Sequence, residues 1–139
     1  MIHRQRGITM IELMVVVVVV ALLASIALPS YTDFVTRSRR SEAMNALVEM
    51  ANLQERFFSN STPSTYTSDF TDLPYPTATE NGMYQLSIVV NSTLSYTLTA
   101  TPIAGTSQAG DGALRLNTTG IRTWDKANDG SYGYSWTDR

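Results

Sequence analysis

Between Leu13 and Leu28 the only residue that is not apolar is Ser25, and six consecutive valines, Val15 to Val20, form the middle of the run. Counted from Ile8 the stretch holds 21 residues, about 31 Å of helix at ~1.5 Å per residue, which matches a bilayer hydrocarbon core of roughly 30 Å. A bilayer also forces internal hydrogen bonding, so valines that form helix weakly in water stay helical there. With 139 residues in all, the chain has room for one small domain beyond this segment.

One residue is out of place. Glu12 lies at the front edge of the run, where a carboxylate costs about 2.5–3.5 kcal/mol and is expected to be paired and functional. No Lys or Arg follows within one or two helical turns. Cleavage between Gly7 and Ile8 would supply a cation, because the new α-amino group lies one helical turn from Glu12, and in an assembly a neighbour's ammonium could serve. His3, Arg4 and Arg6 precede the run and place the N-terminus in the cytoplasm by the positive-inside tendency. Arg37, Arg39 and Arg40 pull the other way, with Asp33/Arg37 and Arg39/Glu42 spaced for local pairing. An ordinary secretory signal would instead be cut at a small-x-small site, for which Ala24, Ser25 and Ala27 offer a loose match.

The sequence Gly7-Ile8-Thr9-Met10-Ile11-Glu12, with a basic leader before it, an apolar run after it and Pro29 further on, resembles the class III signal of type IV pilins. The resemblance implies that a membrane-embedded prepilin peptidase cuts after Gly7 and methylates the new N-terminus. That residue would be Ile8, where the family usually has Phe. Glu12 would then hold the axial register in a filament, and Pro29 would mark a kink, next to which the helix of such pilins tends to unwind. "ALVEMANLQERFF", "NGMYQLSIVV", "SYTLTATP" and "LRLNTTGIRTW" are similar to segments of minor pilins related to pilin E of type IVa systems. Such pilins usually close their C-terminal region with a disulfide. Here Asp111-Gly112 and Ser135-Trp136 stand where Cys-Gly and Cys-Trp are expected, so packing of Trp124, Tyr132, Tyr134 and Trp136, or a ligand, must hold the tail.

The pattern itself predicts an α+β chain. Pro29 removes a backbone donor and should kink or loosen the helix. Tyr31, Phe34, Val35, Ala43, Ala46, Leu47, Met50, Leu53 and Phe57 recur at helical spacing, so one helix is expected from about Ile8 to about Ser59, half anchor and half core. Residues 60–82 read as a connection with a turn or short helix and aromatic tethers at Tyr66, Phe70 and Tyr75. The period then changes to two: Tyr84 to Val90, Tyr96 to Ala100 after an Asn91-Ser92 turn, Leu114 to Asn117, and Ile121 to Trp124 after Gly120. This predicts an antiparallel meander with one face on the helix. The expected division is a leader at 1–7, a membrane or filament-core half-helix at 8–29, and a periplasmic domain at 30–139.

Composition narrows the chemistry. There is no cysteine, and the only histidine is His3, so thiol nucleophiles, Cys/His zinc sites and histidine triads have no residues to use, and no catalytic residue, cofactor or metal is expected. Asp125-Lys126-Ala127-Asn128-Asp129-Gly130-Ser131 has oxygen ligands but lacks the spacing of a calcium loop, and a solvated turn is expected. A net charge of −2 gives no general attraction to nucleic acid, and Arg37, Arg39 and Arg40 are the one concentrated basic stretch. The leading expectation is a structural subunit of a pilus for twitching motility, adhesion or DNA uptake. Its partners would be prepilin peptidase, other pilins, the inner-membrane assembly platform and the membrane itself. A pseudopilin of a type II secretion machine and a tip-located DNA- or adhesin-binding minor pilin are the alternatives.

Overall fold

The computed structural model describes residues 8–138, which fall into two compact units, one up to Val35 and the other from Thr36 onward. Helix α1 spans Met10–Asn60, and the helical assignment runs through Pro29 without interruption. Its start is set by Thr9, whose Oγ1 accepts the Glu12 N–H at 3.2 Å while its carbonyl accepts the Leu13 N–H at 3.2 Å. Thr9 is therefore the N-cap and Glu12 the third helical residue, at the sequence spacing of a capping box.

Among the described residues of the first unit the large apolar side chains are exposed, from Val19 at 48% to Met10 at 82%, except the half-buried Val35 at its end. Tyr31 and Phe34, expected in the core from their spacing, are also exposed.

The second unit packs the remaining helix on a five-stranded antiparallel meander in the order β1-β2-β3-β4-β5. The strands are Tyr84–Ser92 (β1), Ser95–Pro102 (β2), Leu114–Asn117 (β3), Arg122–Trp124 (β4) and Tyr134–Ser135 (β5). Ala43, Ala46, Leu47 and Met50 form one stripe at spacings of three and four, and the two alanines let the sheet approach closely. Facing them are Tyr84, Leu86, Tyr96, Leu98, Ala100, Leu114, Leu116 and Trp124. The alternate positions Gln85, Ser87, Thr97, Thr99 and Arg115 share the outer face by register, which gives the period of two.

The β1–β2 turn sits at Thr93-Leu94 and not at Asn91-Ser92. Asn91 Nδ2 donates to Thr97 Oγ1 at 2.9 Å across the ladder, and Ser92 Oγ accepts the Leu94 N–H at 3.3 Å, so both expected turn residues extend or close the strand. Gly120, at φ 79°, makes the expected β3–β4 turn.

Residues 61–83 carry a turn near Asp72 and are anchored by Gln54, a helix residue placed where Leu53 was expected to point inward. The Gln54 amide donates to the Thr67 carbonyl at 2.6 Å and accepts the Thr67 N–H at 3.2 Å, so a buried polar side chain is satisfied at both ends. Tyr66 stacks on Phe58 at 4.7 Å and meets Tyr96 edge-on at 4.6 Å.

Candidate functional site

Three regions carry the sequence-predicted residues. The first is the start of α1. Gly7 lies outside the described residues, while Ile8 is 76% exposed and Glu12 projects from the same apolar surface. The expected cation is not among the described residues within ion-pair distance of Glu12. Glu12 also has a local role that the sequence already signalled in Thr9-x-x-Glu12: an acid at the third position stabilises the helix start against its dipole.

The second is the arginine cluster, which the structure takes apart. Arg40 forms the ion pair found among the described residues, with Asp111. Its Nε donates to Asp111 Oδ2 at 2.8 Å and Nη2 bonds to Oδ1, and the guanidinium lies 3.8 Å from the centre of the Trp124 ring. Burial lowers the Arg40 pKa, but the Asp111 carboxylate outweighs that and raises it overall. Tyr84 OH donates to Asp111 Oδ2 at 2.5 Å, and burial together with that carboxylate raises the Tyr84 pKa. Trp124 Nε1 donates to the Asp111 carbonyl at 2.7 Å.

Arg39 donates to Ser107 Oγ at 2.6 Å, and Glu42 accepts from the backbone and side chain of Asn81. The expected Arg39/Glu42 pair is replaced by these longer-range partners. Two of the three arginines thus fasten the helix to the loop before β3, and the cluster is no open basic patch.

Asp111, at the position of an expected cysteine, is the hub of this network, and the tail is held in a second way. Strand β5 pairs with β4, with Thr123 opposite Ser135 and Trp124 opposite Tyr134, and Trp136 Nε1 donates to the Thr123 carbonyl at 2.9 Å. Asp125 is buried, and its carboxylate accepts the Asp129 N–H at 3.0 Å and the Gly130 N–H at 2.9 Å. The 125–131 loop is a turn with residues 127–131 exposed, organised around one inward acid.

The third region joins the aromatic residues expected to hold the tail to three cations the sequence did not single out. Arg115 on β3 lies 3.5 Å from the centre of the Tyr132 ring, Arg122 on β4 5.4 Å from Trp136, and Lys126 5.5 Å from both Trp124 and Tyr134. Three cations scattered over twelve residues of sequence each lie against an aromatic ring, Arg115 on the outer face of the sheet and Arg122, opposite Leu116, on the other. The neighbouring Asp129 and Asp138 carboxylates accept the Ser131 and Ser135 N–H groups at 2.8 Å and 2.6 Å. Cations seated on aromatic rings suit an anionic ligand with flat groups.

A separate groove of about 610 Å³ between α1 and residues 75–80 is lined by Glu42, Glu49, Glu80 and Tyr75. Its sign repels polyanions. Burial and the Glu49 carboxylate, which accepts Tyr75 OH at 2.8 Å, push the Tyr75 pKa up to about 12.

Similarity to known proteins covers both units. Residues 2–28 match the family profile described as the prokaryotic N-terminal methylation motif, and residues 29–114 match that described as type IV minor pilin ComP, DNA uptake sequence receptor. The chain is 34% identical to the fimbrial protein EcpC of Eikenella corrodens over 137 residues, covering 95% of this chain and 80% of the relative. It is 46% identical to the type IV major pilin PilA of Myxococcus xanthus over 56 residues, 40% of this chain and 26% of that protein. Among solved structures, the Neisseria meningitidis non-core minor pilin PilV superposes with a TM-score of 0.56 at 23% identity, over 73% of this chain and 98% of that one, which is a likeness of fold.

Proposed function

The chain belongs to the type IV pilin family and is a pilus subunit, and on that premise we propose that α1 first anchors it as a single span of the inner membrane and then packs into the filament core. The observation that carries this reading is the exposed, largely apolar surface from Ile8 to Leu28, long enough to cross a membrane and bearing one acid at its front edge. Lipid contacts are replaced by helix contacts of similar strength when the subunit leaves the bilayer.

The methylation motif implies processing by prepilin peptidase. Cleavage follows Gly7, Ile8 becomes the methylated N-terminus, and Glu12 meets the ammonium of its own or a neighbouring chain. The N-terminus faces the cytoplasm, and an inner-membrane assembly platform extracts the subunit. The chain acts by assembling and binding, and not as an enzyme.

Two measurements test this. The variant Glu12→Ala is expected to insert into the membrane normally and to be depleted from sheared filaments; incorporation at the wild-type level refutes the register role. Because Thr9 caps the helix independently of the Glu12 carboxylate, helicity in micelles should change little. Mass spectrometry of the native protein should give a chain starting at methylated Ile8, and an intact Met1 refutes the processing.

A second reading, DNA capture, is favoured by the matching family's description and by the three cations seated on aromatic rings. In it Arg115, Arg122 and Lys126 contact the phosphate backbone. Three neutralised phosphates give a salt slope of about −2.7 in log K against log salt. Changing all three residues to Gln should flatten that slope and weaken duplex retention in a gel shift, while the same change at Arg37 and Arg56 should not. Equal binding by both variants removes these cations as the contact. A pseudopilin would differ from both readings in cells, since its loss stops exoprotein release and leaves surface fibres intact.

A further inference from the structure

The apolar segment of α1 can be set in a bilayer at two depths. In the first, residues 8–28 fill the hydrocarbon. Glu12 then lies inside the apolar layer, and Tyr31 and Phe34 stand about 5 Å and 9 Å beyond its outer boundary, at ~1.5 Å per residue. In the second, the two acids Glu12 and Asp33 bracket the hydrocarbon. The 20 residues from Leu13 to Thr32 then span about 30 Å, again the thickness of a hydrocarbon core. At the outer end the two settings differ by residues 29–32, roughly 6 Å of depth.

Side-chain chemistry favours the second. Residues 29–32 can enter lipid only if their polar groups have partners within the helix. Ser30 Oγ donates to the Ile26 carbonyl at 3.3 Å and Thr32 Oγ1 to the Pro29 carbonyl at 2.8 Å, as Ser25 Oγ does to the Leu22 carbonyl at 2.7 Å. Pro29 has no N–H to satisfy. After Glu12, the first charged group along the helix is therefore the Asp33 carboxylate. Tyr31 and Phe34, three residues apart, are neighbours on the helix surface. They are 67% and 70% exposed, and among the described residues neither joins the core cluster nor stacks on another ring. The first setting leaves the wholly apolar Phe34 ring far out among headgroups and water. In the second, both rings straddle the outer boundary, a level at which aromatic side chains collect.

We propose that Tyr31 and Phe34 are an interfacial anchor. Their partner is the headgroup layer of the bilayer that holds the subunit, and they select the Leu13–Thr32 setting. At the other end of the span, Glu12 is thereby held at the inner boundary of the hydrocarbon and not within it. Its charge stays hydrated while the subunit waits in the membrane and is desolvated only when helices pack together. The anchor presupposes the single span proposed above and adds its depth, and the test separates the two.

The chain contains no cysteine, so one introduced cysteine carries a unique spin label. Its depth is read in the full chain, in dioleoylphosphatidylcholine vesicles, from relative collision with oxygen and with a water-soluble nickel complex. In Leu28→Cys the label should lie about 6 Å below the outer hydrocarbon boundary, and in Leu13→Cys at the inner one. Adding Tyr31→Ser and Phe34→Ser should bring the label at position 28 at least about 3 Å closer to the outer boundary, two residues of helix rise. Tyr31→Trp with Phe34→Trp should leave it in place, because tryptophan has the same interfacial preference. A label at position 28 that already lies at the boundary with both rings present, or that the serine pair does not move, overturns the anchor. If that unmoved serine chain is also depleted from sheared filaments, the rings serve subunit packing instead. A Val18→Cys label reached by the nickel complex refutes the span itself and the anchor with it. A shielded label there, with no shift at position 28, removes the anchor alone.

Discussion

Replacing Arg40 by Met is the perturbation whose cost is best defined by the contacts. The Asp111 side chain is 5% exposed and that of Arg40 15%, so removing the guanidinium strands a carboxylate that keeps only Tyr84 OH as a side-chain donor. Breaking a buried pair on one side costs about 3–5 kcal/mol. The domain from Thr36 to Arg139 has a total stability of roughly 5–15 kcal/mol at ~0.05–0.15 kcal/mol per residue, so the loss is a large fraction of it. In the double variant Arg40→Met/Asp111→Leu both charges go, and the remaining cost is a Tyr84 O–H left without an acceptor while its oxygen still accepts from Gln108, about 1–3 kcal/mol. The double variant should therefore be more stable than either single one. The assay is urea unfolding of a chain starting at Ser30, followed by fluorescence, since Trp124 stacks on Arg40. A single variant within about 1 kcal/mol of wild type, or a double variant no better than the sum of the singles, refutes a buried, coupled pair.

Gly112→Ala should be at least as damaging, because φ is 79° and the new Cβ meets the Asp125 carbonyl oxygen, a backbone atom that cannot move aside. A change in unfolding free energy below about 1 kcal/mol would contradict that contact. Alkaline pH should also destabilise the domain. Burial raises the pKa of Tyr75, Tyr84 and Tyr96 above the usual 10.0, Tyr75 to about 12, so the unfolded chain ionises first. The contribution is full below about pH 10 and is lost as pH climbs toward 12. Equal urea midpoints at pH 8 and pH 11 would show that these hydroxyls are not differentially buried.

What the sequence determined by itself is everything governed by local period and composition. The run from Leu13 to Leu28 has only one geometry in a bilayer, the stripe Ala43, Ala46, Leu47 and Met50 requires a helix with one buried face, and the alternation from Tyr84 to Trp124 requires strands. The Gly7–Glu12 motif was legible because its residues are adjacent, and its Thr9-x-x-Glu12 cap could have been read with it. Tertiary structure decided what depends on pairs far apart. Arg40 and Asp111 are separated by 71 positions, and no spacing rule joins them. Nor does any rule tell which of three arginines turns inward, why Gln54 replaces Leu53 at the core, or that Arg115, Arg122 and Lys126 each lie against an aromatic ring. Those outcomes rest on desolvation: once the helix covers the sheet, each polar group at the seam must find a partner, and only the packed arrangement fixes which one is within reach.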